Sequence, residues 1–156
     1  MSEVKNKKKK SSIIQVSIGV LAVILAILII IMMGIVSDIQ GTARIVNYTG
    51  LVRGETQRLI KLELSMQQEN EMIHDIRTFI DGLRNGNDEL NLVRLNDVDF
   101  QNKMQELDDK FSDLYKKIHL VRFKGAKNTD IIPESEEFFV ICDEATGLAE
   151  KYSQKK

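Results

Sequence analysis

Between Lys10 and Asp38 the chain carries no charged residue, and this gap constrains its folding more than any other feature. Ile13 to Val36 is a 24-residue run broken only by Gln15, Ser17, Gly19 and Gly34. As a helix it reaches roughly 36 Å, enough for a hydrocarbon core of about 30 Å. A cleaved secretory signal is the rival reading, but its apolar region spans about 7–15 residues and ends in a small-x-small site. Here the run is longer, and Ile35-Val36-Ser37 offers no such site. The expectation is one uncleaved crossing. Lys5, Lys7, Lys8, Lys9 and Lys10 precede it, and basic flanks stay on the cytoplasmic side of a cell membrane. The reading therefore divides the chain into a cytoplasmic basic tail (1–12), a transmembrane helix (13–36) and an extracytoplasmic domain (38–156). Lysines beside a spanning helix meet anionic membrane lipid, and a net charge of -1 gives no case for nucleic-acid binding.

Of 22 Lys and Arg, five lie in that tail, and of 23 Asp and Glu only Glu3 does, so the external part is net acidic. One Cys cannot close an internal disulfide, so its core must come from packing. No second apolar stretch of spanning length follows, and the chain ends without a kinase, cyclase or coiled-coil signalling segment. No output module is read in the sequence.

Four helical patterns follow from the spacing of apolar residues. The first, about Ala43 to Met66, is able to run on directly from the membrane helix. In the second, Met72, Ile73, Ile76, Phe79, Ile80 and Leu83 recur at three and four residues, with Gly82 and Asn85-Gly86-Asn87 as a stop signal. The third has Asn96 or Asp97 as its cap and a stripe from Phe100 to Val121, before Gly125. Pro133 suits the first turn of the fourth, with Glu134, Glu136 and Glu137 near its positive end. Alternation is confined to a short piece around Leu92 to Leu95. The expected fold class is all-α, an antiparallel four-helix bundle.

The first external helix differs from the others in its chemistry. From Ala43 to Lys61 it holds Arg44, Arg53, Arg58 and Lys61 against Glu55 alone. At about 100° per residue, Asn47, Gly50, Arg53, Gly54, Gln57 and Lys61 share an arc of roughly 120°. Ile45, Tyr48, Val52, Leu59 and Leu62 fall opposite. Gly50-x-x-x-Gly54 costs helix stability but lets a second backbone come close, which predicts a parallel homodimer seam. Arg53 from each subunit then meets near the two-fold axis, and like charges there call for an anion. Arginine suits the task, because its planar fork pairs with carboxylate-, nitrate- or phosphate-shaped ligands and stays charged. The candidate ligand-binding residues are Arg53, Asn47, Gly50 and Gln57, and the candidate ligand is a small anion.

The pattern Asn47-x-x-Gly50-x-x-Arg53-x-x-x-x-Arg58-Leu59 resembles the first periplasmic helix of nitrate/nitrite-sensing histidine kinases of the NarX/NarQ type. It is also similar to the N-terminal domain of PilJ-type methyl-accepting transducers. The resemblance extends over nearly all of Asp38 to Tyr152 and implies a sensor domain in which the first motif arginine of each protomer, here Arg53, clasps ligand at the dimer axis. Gly54 and Glu55 depart from the nitrate sensors, which carry a longer apolar and a neutral residue there.

Other chemistry-bearing residues carry structural readings. Arg53 has a bland alternative as a partner of carboxylates on neighbouring helices, and Arg58, about 140° away round the helix, reads as structural. His74 and His119 lack neighbours at metal-ligand spacing, and Cys142 beside an apolar stripe behaves as a small hydrophobe. No catalytic constellation, metal site or cofactor motif is present, so no enzyme is expected. Three functions remain open: a membrane-anchored sensory module, the input fragment of a truncated histidine kinase, diguanylate cyclase or chemotaxis transducer, and a helical adaptor that binds no ligand.

Overall fold

The computed structural model describes residues 2–154, with side chains placed for residues 15–127 and 129–154. The lysine side chains on which the expected cytoplasmic tail rests lie outside the described residues. Four helices follow in order, α1 (Ser2–Leu64), α2 (Asn70–Asn85), α3 (Val98–Lys124) and α4 (Ile132–Gln154), with a 3-10 turn at Ala126–Asn128. Among the described residues the only β pairing is an isolated antiparallel bridge, Asn87 to Leu92. The all-α expectation holds. The chain divides into two compact units, Met1–Ile39 and Gln40–Lys156.

In the first unit, the described side chains from Gln15 to Ile39 are exposed on every side of α1. A helix apolar all round has no face suited to water, and this one is long and apolar enough to cross a membrane.

The second unit is built on stripes. In α3, Phe100, Met104, Leu107, Phe111, Leu114, Ile118 and Val121 alternate steps of four and three and are all buried. Each large side chain so buried contributes on the order of 1.5–3 kcal/mol. Of the two capping candidates, Asp97 is the one used, its Oδ1 accepting the Phe100 N–H at 2.9 Å. Phe138, Ile141, Cys142, Ala145 and Ala149 form the matching face of α4. Three ion pairs join the two helices: Lys103 to Glu144 at 2.7 Å, Lys110 to Glu137 at 2.6 Å and Lys117 to Glu134 at 2.7 Å. Rising numbers on one helix meet falling numbers on the other, so the pair is antiparallel.

The stop signal predicted after the second helix divides into two roles. Gly86 ends α2 at φ 87° and ψ 154°, with its N–H donating to the Gly82 carbonyl, a backbone region essentially reserved for glycine. Gly82 stays inside the helix, where an added Cβ would lie 3.1 Å from both Leu92 Cδ1 and Asn87 Cβ. It makes room for the chain to fold back. That return matters because α2 has 16 residues against 27 in α3. The non-helical segment 86–97 fills the remaining length by burying Leu92 and Leu95, and the Gln101 amide holds it by donating to the Leu95 carbonyl at 2.9 Å.

α1 presents Thr42, Ile45, Thr49, Val52, Thr56, Leu59 and Glu63 to the core, all buried. Thr49 and Thr56 satisfy their hydroxyls on the carbonyls of Ile45 and Val52, both at 2.7 Å. Glu63 instead receives Arg122 of α3 as a fork: Nε donates to Oε2 at 2.8 Å and Nη2 to Oε1. Arg122 Nη1 also donates to Asn70 Oδ1 at 2.7 Å, so the ends of α1 and α3 and the start of α2 are joined at one place. The Glu63 side chain is 1% exposed and that of Arg122 13%.

Removing one partner of such a pair strands the other charge in the core. Arg122→Met is expected to cost about 3–5 kcal/mol, measured by denaturant unfolding of the detergent-solubilised chain under circular dichroism. Adding Glu63→Leu should recover most of the loss. If Arg122→Met alone is silent, the fork is not a structural tie.

Candidate functional site

Rotation of α1 about its axis is fixed by the buried stripe, and this determines what faces outward. Asn47, Gly50, Gly54 and Lys61 are exposed and Gln57 is half-buried. Together with Gln40 and Ala43 they advance in unbroken steps of three and four along the outer face of α1. A Cβ built on either Gly50 or Gly54 meets nothing within 4 Å, so the chain's own packing gives no reason for glycine at these two positions.

Of the four candidate residues, Asn47, Gly50 and Gln57 lie on this outer ribbon and Arg53 lies beside it. The Arg53 guanidinium leans towards α4, where Nη1 donates to Asp143 Oδ1 at 2.5 Å. The two side chains are 45% and 55% exposed, and an exposed pair of this kind contributes about 1 kcal/mol or less. The pairing of Arg53 with a carboxylate on a neighbouring helix is thus present, while the ribbon itself stays on the outside. On the opposite flank, Arg58 approaches Glu55 at 3.8 Å and is 67% exposed.

Asp143, the partner of candidate residue Arg53, carries no signal of that role in the sequence. Its place on the outer face of α4 follows from the Phe138 to Ala149 stripe, but its position opposite Arg53 depends on the register between two helices 90 residues apart in sequence. Acidic side chains on the outer faces of α3 and α4 are engaged within the chain: Asp108 pairs with Arg84, Asp109 accepts from the Gln105 amide and Glu137 pairs with Lys110. Beyond Arg58, Leu51, Met72 and Phe79 line a groove of about 280 Å³ between α1 and α2, where Glu55, Glu69 and Asp75 also sit. Among the described residues no cluster of three potential metal ligands occurs.

No family model matches the chain, and no curated protein matches it in sequence. In structure it is similar to the ligand-binding domain of the nitrate receptor McpN of P. aeruginosa, with a TM-score of 0.59 and 14% identity over 70% of this chain and 96% of that domain. It shares the fold of a receptor ligand-binding domain. At this identity the likeness is one of architecture.

Next to Asp143, the Cys142 thiol is buried and its pKa is pushed up to about 12, chiefly by burial, with the Asp143 carboxylate adding to the shift and Arg53 opposing it. A thiol is reactive as its thiolate. Ellman's reagent at pH 8 is therefore expected to leave the folded protein unlabelled and to label it stoichiometrically once unfolded. Because the folded value lies above the ordinary 9.0, the unfolded chain loses this proton first, and stability falls as pH rises from about 9 towards about 12. Rapid native labelling at pH 8 would contradict the burial of Cys142.

Proposed function

We propose that this chain is a membrane-anchored, extracytoplasmic sensory module that works as a parallel homodimer about α1 and perceives a small anion beside the seam through Arg53. The observation that carries this reading is the outward face of α1. It repeats at strict three- and four-residue steps, contains two glycines with open space where their side chains would be, and carries an arginine at its edge. The same count continues back through the apolar segment by way of Val36, Met33, Ile29, Ala26, Ala22, Gly19 and Gln15. A second copy of this chain is the partner that matches such a period in register through a bilayer.

Fold likeness to a nitrate-receptor domain and the motif from Asn47 to Leu59 both support a sensory role. The lysines before the apolar run support an orientation with the second unit outside. Asn47, Gly50 and Gln57 line the seam, and a partner protein carries the output. A nitrate-type planar oxyanion fits the geometry of a guanidinium fork.

One observation favours a second reading, a tethered helical adaptor without a ligand: Asp143 already supplies Arg53 with a counter-ion.

Calorimetric titration of the full chain in nanodiscs with nitrate, nitrite and acetate separates the two. The sensor reading expects binding of at least one anion, weakened about tenfold or more by Arg53→Ala, the loss of a charge-assisted hydrogen-bond partner. An adaptor binds none. Gly54→Leu is expected to dissociate the dimer while leaving the bundle as stable as before or more so, because leucine favours a helix over glycine by about 1 kcal/mol and the position is open. Intersubunit cross-linking and thermal melting read the two effects. A dimer unaffected by Gly54→Leu would rule out this seam.

A further inference from the structure

Resting on the parallel-dimer reading above, we propose that the anion site is divided between protomers: Arg53 of one chain and Arg58 of the partner subunit form it, and two such sites flank the seam. In a parallel two-stranded heptad contact, the residue just before a core position pairs across the seam with the residue five places further on in the other helix. With Asn47, Gly54 and Lys61 as one set of core positions and Gly50 and Gln57 as the other, Arg53 takes the first of these flanking places and Arg58 the second. The residues that would ordinarily form an interhelical ion pair are both arginines.

This register places the two Arg53 side chains on opposite sides of the seam. Each instead faces Arg58 of the partner subunit, with like charges that only an anion between them reconciles. Both guanidiniums have donors to offer. Asp143 takes Arg53 through Nη1, leaving the Nε and Nη2 edge for a planar oxyanion. Glu55 stands 3.8 Å from Arg58, beyond hydrogen-bond distance. The two carboxylates act as resident counter-ions in the empty dimer, and a ligand competes with them.

Titration of the full chain in phosphatidylcholine nanodiscs with nitrate, nitrite and acetate, at constant ionic strength, tests the divided site. One anion per chain is expected. Arg58→Ala should weaken binding about tenfold or more, as Arg53→Ala does. Arg58→Glu should abolish anion binding and at the same time strengthen the dimer in cross-linking and subunit-exchange measurements, because the new carboxylate pairs with Arg53 across the seam.

One anion per two chains, with binding undisturbed by Arg58→Ala but lost in Arg53→Ala, overturns the divided site and leaves the sensor reading standing. A weaker dimer in Arg58→Glu also overturns it. If wild type binds no anion, the sensor reading falls and the divided site falls with it.

Discussion

Seven side chains at alternating steps of three and four, from Thr42 to Glu63, set the rotation of α1 against its neighbours. A helix has a single circumference, so burying one stripe dictates which residues occupy the opposite side. The outward ribbon of Asn47, Gly50, Gly54, Gln57 and Lys61 follows directly, and so do the flanking places of Arg53 and Arg58. Threonine at three of the inward positions is compatible with this because its hydroxyl can bond a carbonyl one turn back, as Thr49 and Thr56 do. A buried polar group left without a partner would cost far more.

The ties that hold α1 differ in kind along its length. At Glu63 a forked, buried ion pair joins three helices, and its geometry is that of a fixed joint. At Arg53 a single half-exposed contact reaches α4, and at Arg44 a guanidinium donates to the Asn91 carbonyl at 2.9 Å. Between these points α1 packs by shape, including the edge-on contact of Tyr48 with Phe79 at 5.2 Å. The strongest polar attachment therefore lies at the Leu64 end, and Arg53 is held by an exposed pair of the kind that contributes about 1 kcal/mol or less.

Much of this was legible in the sequence, and the limits have physical causes. Helices α2, α3 and α4 follow from stripes of large apolar residues, because such residues have only one favourable place to go. The inward face of α1 was read only in part: Ile45, Val52 and Leu59 were assigned correctly, but the threonines carry little hydrophobic signal and Leu62 is only half-buried. Gly82 looked like a terminator because local chemistry does not reveal that Leu92 will return to sit above it. The fork between Glu63 and Arg122 joins residues 59 apart, and no periodicity announces it. For the candidate site, the outward placement of Asn47, Gly50 and Gly54 was readable from angle alone. The engagement of Arg53 by Asp143 was not, since it requires knowing how two helices slide past each other.

The α3–α4 ion pairs begin at Lys103, Lys110 and Lys117, spaced at seven residues along α3. Inserting one residue near the start of that helix would turn everything before it by about 100°, unseating the first lysine together with the apolar stripe beneath it. A residue added within 86–97 has irregular backbone in which to be absorbed. Helix length is thus a rigid dimension in one half of the bundle and an adjustable one in the other, so exchanges between chains of this architecture are best spliced in the stretch that follows Gly86.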